Sequence, residues 1–230
     1  MIEELSDAMA LLVANGARVL VLTGKGKAFS SGANLSAIAS APQQEFDAGG
    51  HLRTHVAPLM NQFREYPIPV ISGVRGAAAG LGCSIALAAD IVVASENAYF
   101  VQAFTRVGLI PDGGATYLLA RSTGRARAME MVLLGENIPA AKALEWGLIN
   151  RVVADTELDE ALGCLATDLS QRATVALGLA RQKVWSALDD GWAQSLEQEA
   201  TAQTLAGKTE DFQEGVQAFF ARRPACFKGC

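Results

Sequence analysis

The residues best placed to do chemistry lie in two loops built almost wholly from small side chains. The first reads Gly24-Lys25-Gly26-Lys27-Ala28-Phe29-Ser30-Ser31-Gly32-Ala33-Asn34-Leu35, and the second Gly73-Val74-Arg75-Gly76-Ala77-Ala78-Ala79-Gly80-Leu81-Gly82-Cys83-Ser84. Loops so poor in side chains leave main-chain N–H groups bare, and a ligand oxygen can come close to them. Two such loops facing each other can hold one developing negative charge, the geometry of an oxyanion hole. A helix beginning at about residue 82 would add its N-terminal dipole to the second loop. One carboxylate lies in a related setting, Asp112 in Pro111-Asp112-Gly113-Gly114. Two readings of it compete. Asp ahead of Gly-Gly and an apolar helix is a good N-cap, which lowers the pKa. Burial among Phe104, Leu109 and Leu81 would raise the pKa and suit a proton-transfer role.

Other chemistries find less support. His51 and His55 share a face if their segment is helical, as metal ligands can, but no third ligand is evident, and a solvated helix start is the expected reading with no metal. Cys83, Cys164, Cys226 and Cys230 show no metal or CxxC spacing, so reduced thiols are expected. The formal net charge is −5 with scattered basic residues, which argues against a nucleic-acid or membrane-surface footprint. No apolar run is long enough to span a bilayer. The start, Met1-Ile2-Glu3-Glu4-Leu5, is acidic and lacks a signal-peptide pattern, so a cytoplasmic location is expected.

The elements that must position the loops follow from periodicity. Half of the 230 residues are hydrophobic and 19% are charged, enough for one well-cored domain, alone or with a helical appendage. Leu5, Met9, Leu12 and Val13 predict a helix over 3–14. Strands are expected at Ala17 to Thr23, Ile68 to Val74 and Ile91 to Ala94, with a short fourth at Tyr99 to Gln102. Helices are expected at about 51–65, ended by Tyr66-Pro67, and at 82–89, 114–121, 125–134 and near 140–145. Residues 36–50 read as a loose loop or short helix, and Leu148 to Val153 as extended. From 156 onward the chain reads as helical throughout. Mixed strands and helices followed by helices alone predict an α/β core, 1–155, and a helical region, 156–230.

Four ordered segments carry a resemblance to a known family. Leu20 to Leu35 resembles the first oxyanion segment of the crotonase superfamily, also called the enoyl-CoA hydratase/isomerase family, and Pro69 to Cys83 its second. Gly108-Leu109-Ile110-Pro111-Asp112-Gly113-Gly114-Ala115-Thr116 resembles the third signature. Ala140-x-x-Ala143-x-x-x-Gly147-Leu148 followed by Val152-Val153 resembles the fourth. The resemblance implies an α/β fold, a spiral of ββα units, with a helical C-terminal region used in trimerisation. It implies an acyl-CoA thioester as substrate, with CoA part of the substrate and no separate cofactor, and a homotrimer or a dimer of trimers. The family's two oxyanion donors fall on the N–H groups of Ala33 and Leu81. CoA lies along the first loop in the family, which makes Lys27, Ala28, Ser31, Gly32 and Gly80 substrate-binding positions. Lys27 is otherwise an ordinary solvated turn lysine. Near the end, Phe219 to Gly229 resembles a segment whose basic residues approach a CoA phosphate, which makes Lys228 a candidate; otherwise it belongs to a solvated basic end.

The departures from the family pattern decide the expected reaction. Hydratases of the family carry one Glu shortly after the second loop and another in the next segment; Ser84 and Phe104 stand in those places. With both carboxylates absent, water activation has no evident acid/base pair. The position of Asp112 carries Asp or Glu in isomerase branches of the family, the Δ3,Δ2-enoyl-CoA isomerases and the ring 1,2-epoxyphenylacetyl-CoA isomerases, and Phe104 to Asp112 resembles the latter most. The expectation is an acyl-CoA isomerase that shifts a double bond or rearranges a ring, with Asp112 as proton shuttle and Phe104 at the substrate. The alternative is a catalytically silent acyl-CoA-binding or scaffolding trimer, and a thioester hydrolase would need a second base. Leu81 stands where Gly is usual, and Asn34 where Asp is common. Family members usually open with a strand that precedes the first helix. The chain starts inside that helix, so a truncated or late start is expected.

Overall fold

The computed structural model describes residues 1–33 and 47–230. The expectations for Asn34 and for most of 36–50 lie outside the described residues. Helix α1 (Ile2–Ala14) leads into strand β1 (Leu20–Thr23). After the first loop come α2 (Ala48–His51), a π-helical turn (Leu52–Val56) and α3 (Ala57–Glu65). Then follow β2 (Val70–Val74), β3 (Ala77–Ala79) and α4 (Leu81–Leu87), and after them β4 (Ile91–Ser95) and β5 (Tyr99–Val101). A 3-10 turn (Ala103–Val107) precedes α5 (Ala115–Leu134). Gly124 breaks α5 with non-helical angles, φ 78 and ψ 162, so the two helices expected there join at a kink. The rest is β6 (Ile138–Pro139), α6 (Ala140–Glu145) and β7 (Arg151–Val153), then α7 (Leu158–Ser170), α8 (Thr174–Ala187), α9 (Trp192–Ala206) and α10 (Glu210–Ala221).

Two sheets result. One is parallel in the order β1-β2-β4-β7; the other runs β3-β5-β6, with β3 parallel to β5 and β5 antiparallel to β6. From β2 to β5 consecutive strands therefore alternate between sheets. From β2 the chain bends at Arg75-Gly76 into β3 and then α4, and from β4 it bends into β5 and then reaches α5. Each step is one ββα turn of a spiral. Every residue of β2 is buried, as expected for a parallel strand covered on both faces. On one face lie Phe63, Leu59 and Phe100; on the other, Ile71 and Val93 pack against Leu158, Leu162 and Leu165 of α7. Gly73 is the small residue that admits Leu162. A buried Phe63 side chain contributes about 1.5–3 kcal/mol relative to exposure.

A buried ion pair ties the helical half to the sheet. Arg181 on α8 meets Asp90 at 2.7 Å. Its guanidinium also donates to the carbonyls of Phe63, Arg64 and Tyr66, which α3 leaves without intrahelical partners at its C-terminus. Asp90 in turn accepts the N–H of Val70 at 2.8 Å, which fixes the start of β2. Two strands were not expected, β3 and the two-residue β6. Ala77-Ala78-Ala79 has no β-branched or aromatic signal, and pairing with β5 and Ser30 alone makes it a strand.

Candidate active site

The two small-residue loops lie side by side at the C-terminal edge of the parallel sheet. Three main-chain bonds join them: Phe29 N–H to Arg75 O at 2.8 Å, Ser30 N–H to Ala77 O at 3.0 Å, and Ala79 N–H to Ser30 O at 2.9 Å. This short ladder needs residues without bulk. Gly32 has φ +86, and a Cβ there would lie 2.9 Å from the Ala79 carbonyl oxygen. Gly80 has φ +54, and its Cβ would lie 3.9 Å from the Gly32 Cα. Positive φ at these two glycines turns the chain so that Ala33 and Leu81 follow on adjacent strands of backbone. Gly80 is the N-cap of α4, and Leu81 is its first residue, so the helix offers no carbonyl to the Leu81 N–H. Ser31 and Ala33 are exposed, and Ala28 and Gly32 are half-buried.

Asp112 lies in the third segment, whose main chain packs against α4. The N-cap of α5 is Gly114 and has no side-chain capping bond, so the capping reading of Asp112 is not the one the fold adopts. Instead, its Oδ1 is buried with no hydrogen-bond partner among the described residues. Burial pushes the carboxyl up to about 6. An aspartate of that kind is half-ionised near pH 6 and mostly ionised at neutrality, and it has a free lone pair, which is what a general base needs. The next residue, Gly113, packs on α4: a Cβ there would lie 2.6 Å from Leu81 Cδ1 and 3.0 Å from Ser84 Cβ. Ser84 Oγ donates to the Asp112 carbonyl at 2.8 Å. The half-buried Phe104 ring covers the loop from above, its Cζ 3.5 Å from a Cβ built on Gly80. Leu109, expected to help bury the carboxyl, is 38% exposed.

Thus Gly32, Gly80, Leu81, Phe104 and the Asp112 segment come together from three separate stretches of chain, with Ala33 following Gly32. The Lys27 side chain is exposed on the first loop, and its carbonyl rests on Gly76. Lys228 is elsewhere. Its N–H is held by Asp211 Oδ1 at 2.6 Å, and its Nζ is 3.8 Å from Glu210. It lines a groove with Arg18, Pro67 and Ile68, which precede β1 and β2 and so mark the opposite edge of the parallel sheet. His51 and His55 stack at 4.7 Å, and His55 Nε2 lies 3.4 Å from Glu3. Among the described residues no cluster of three metal-binding side chains exists. No described helix is long and apolar enough to cross a membrane. The reading of residues alone missed the bond from Ser84 to the Asp112 carbonyl, because the partners are 28 positions apart and only the fold joins them.

A spiral of ββα turns with two glycine-rich loops side by side at one edge of its parallel sheet is the crotonase class of fold. The family model for enoyl-CoA hydratase/isomerase matches residues 1–230, and the chain belongs to that family. It is 42% identical over 217 residues to the 1,2-epoxyphenylacetyl-CoA isomerase of Escherichia coli strain K12, covering 92% of this chain and 81% of that one. It is 33% identical to the trans-2-decenoyl-[acyl-carrier-protein] isomerase of Streptococcus mutans, with the same two coverages. Among solved structures, an enoyl-CoA hydratase from Bacillus anthracis superposes with a TM-score of 0.92 at 30% identity, covering 100% of this chain and 88% of that one.

Proposed function

We propose that the chain is an acyl-CoA isomerase, a cytoplasmic enzyme that moves a double bond by one-base proton transfer. The Asp112 carboxylate takes the α-proton of a 3-enoyl-CoA. The electron pair left at that carbon spreads into the adjacent double bond and onto the thioester oxygen, where the N–H groups of Ala33 and Leu81 stabilise the dienolate. The protonated Asp112 then gives the same proton to the γ-carbon, and the 2-enoyl thioester results. Proton, electrons and charge balance with no redox or metal step. Lys27, Ala28, Ser31, Gly32 and Gly80 hold the CoA side, and Phe104 closes over the acyl side.

The observation that carries this reading is the buried, unpartnered Oδ1 of Asp112. The hydratase reading is disfavoured because a fully buried Ser84 and the aromatic Phe104 stand in the positions of two catalytic carboxylates. Rearrangement of a ring substrate through the same enolate is a second reading, favoured by the 42% identity to the epoxyphenylacetyl-CoA isomerase. Assembly into trimers through 156–230 fits the exposed Trp192, Phe219 and Phe220 on α9 and α10, each at least 78% exposed in the single chain. The test is to mix the protein and its Asp112→Asn variant with a medium-chain 3-enoyl-CoA and follow the conjugated 2-enoyl thioester. Conversion by the parent, lowered about 100-fold or more in the variant, supports the reading. Absence of conversion by both, with CoA ligands still bound, turns it toward a ring substrate or a silent acyl-CoA-binding trimer.

A further inference from the structure

We propose that Ser84 is a positioning residue for Asp112: its hydroxyl pins the main chain of the Pro111–Gly113 segment and thereby sets where the carboxyl stands over the substrate. The inference rests on the reading of Asp112 as the base.

Four observations carry it. Ser84 is fully buried on α4, one turn beyond Leu81, so the residue offering an oxyanion N–H and the residue holding the base segment share one short helix. Its Oγ lies 2.8 Å from the Asp112 carbonyl and 3.5 Å from the Gly80 carbonyl, so the good bond goes to Asp112. Gly113, at φ +59, sits against both Leu81 and Ser84, which leaves the segment no room to slide along the helix. The Asp112 Oδ1 has no hydrogen-bond partner of its own among the described residues. With little else to hold the carboxyl, its place is inherited from its backbone.

Among the described residues, the charged and titratable side chains of the elements around Asp112 are placed elsewhere. On α4 the titratable side chain is Cys83, buried toward Val101 and Gln102. Arg106 of the 3-10 turn lies against Gly135, and Arg121 and Tyr117 of α5 are bound to Asp189. The behaviour of Asp112 is therefore governed by where it is held and how dry that place is.

Ser84→Ala is the test. The Asp112 carbonyl keeps the Ala115 N–H at 3.1 Å, so the variant strands no buried acceptor and folds. The expected result is a kcat for the 3-enoyl-CoA lowered about tenfold or more, with KM within about twofold. The released carboxyl gains water, so the acid limb of the rate profile moves to lower pH. A structural role alone moves neither the limb nor kcat against KM. Carbon-13 NMR titration of the Asp112 carboxyl in parent and variant gives a second readout that needs no turnover: the midpoint falls in Ser84→Ala. An unchanged midpoint together with unchanged kcat overturns the inference while leaving Asp112 as base. An unchanged midpoint in a protein that converts no substrate overturns it as well. A lowered midpoint in a parent that converts no acyl-CoA supports the positioning of Asp112 and removes only the isomerase reading.

Discussion

Gly82 on α4 lies so close to Ser30 on the first loop that any Cβ on Gly82 would fall inside the van der Waals radii of the Ser30 Cβ and Oγ. Ser30 closes the ladder between the loops, and its Oγ accepts the Gly32 N–H at 3.2 Å. Gly82 has no positive φ, so crowding alone is at issue. Gly82→Ala is expected to push the loops apart and to misalign the Ala33 and Leu81 donors. Loss of about 100-fold in kcat is the scale for an ångström of misplacement. Steady-state kinetics on the 3-enoyl-CoA checks it, with a melting curve to show that the variant is folded.

Asp112→Asn removes the proposed base and keeps its shape. Turnover is expected to fall about 10²- to 10⁴-fold, the usual contribution of a general base. Calorimetric titration with a CoA ligand is expected to give the affinity of the parent, since no CoA contact is assigned to the side chain.

The carboxyl held up to about 6 predicts the rate profile. The base must be ionised, so kcat/KM of the parent rises with pH through about 6 and levels above it. A profile flat across that region removes Asp112 as the base.

The same carboxyl has an opposite effect on stability. The unfolded chain releases this proton near 3.8 and the folded chain only near 6. Between those values the folded state binds more protons, so this group's contribution to stability falls as pH rises across the window and stays low above it. Asp112→Asn lifts that penalty. The variant is expected to melt above the parent at pH well over 6 and level with it below 3.8, as read by thermal scans at both.

Arg181→Met breaks the buried pair with Asp90 and uncovers the end of α3. Removing one partner of a buried ion pair costs about 3–5 kcal/mol. Urea unfolding is expected to give an unfolding free energy lower by that amount, while kcat/KM at the distant loops stays near that of the parent.

The amino-acid sequence determined the kinds of element and the kind of chemistry. Val70-Ile71-Ser72-Gly73-Val74 had to be a buried strand, because its aliphatic run can be covered only inside a sheet. Glycines at 32 and 80 had to mark bare backbone, because they bring no side chain to cover it. The four ordered segments carried the family. What only the tertiary structure decided are relations between distant residues. Ala77–Ala79 is a strand solely because β5 and Ser30 offer it partners. Gly114, not Asp112, caps α5, so the carboxyl was left free of capping, with its Oδ1 buried. Ser84 found the Asp112 carbonyl, and Lys228 found Asp211 at the far edge of the sheet. Local propensity is set within one turn of chain. A pKa, an unpartnered oxygen and a pinned backbone depend on what burial brings near, and that is fixed only when the whole spiral closes.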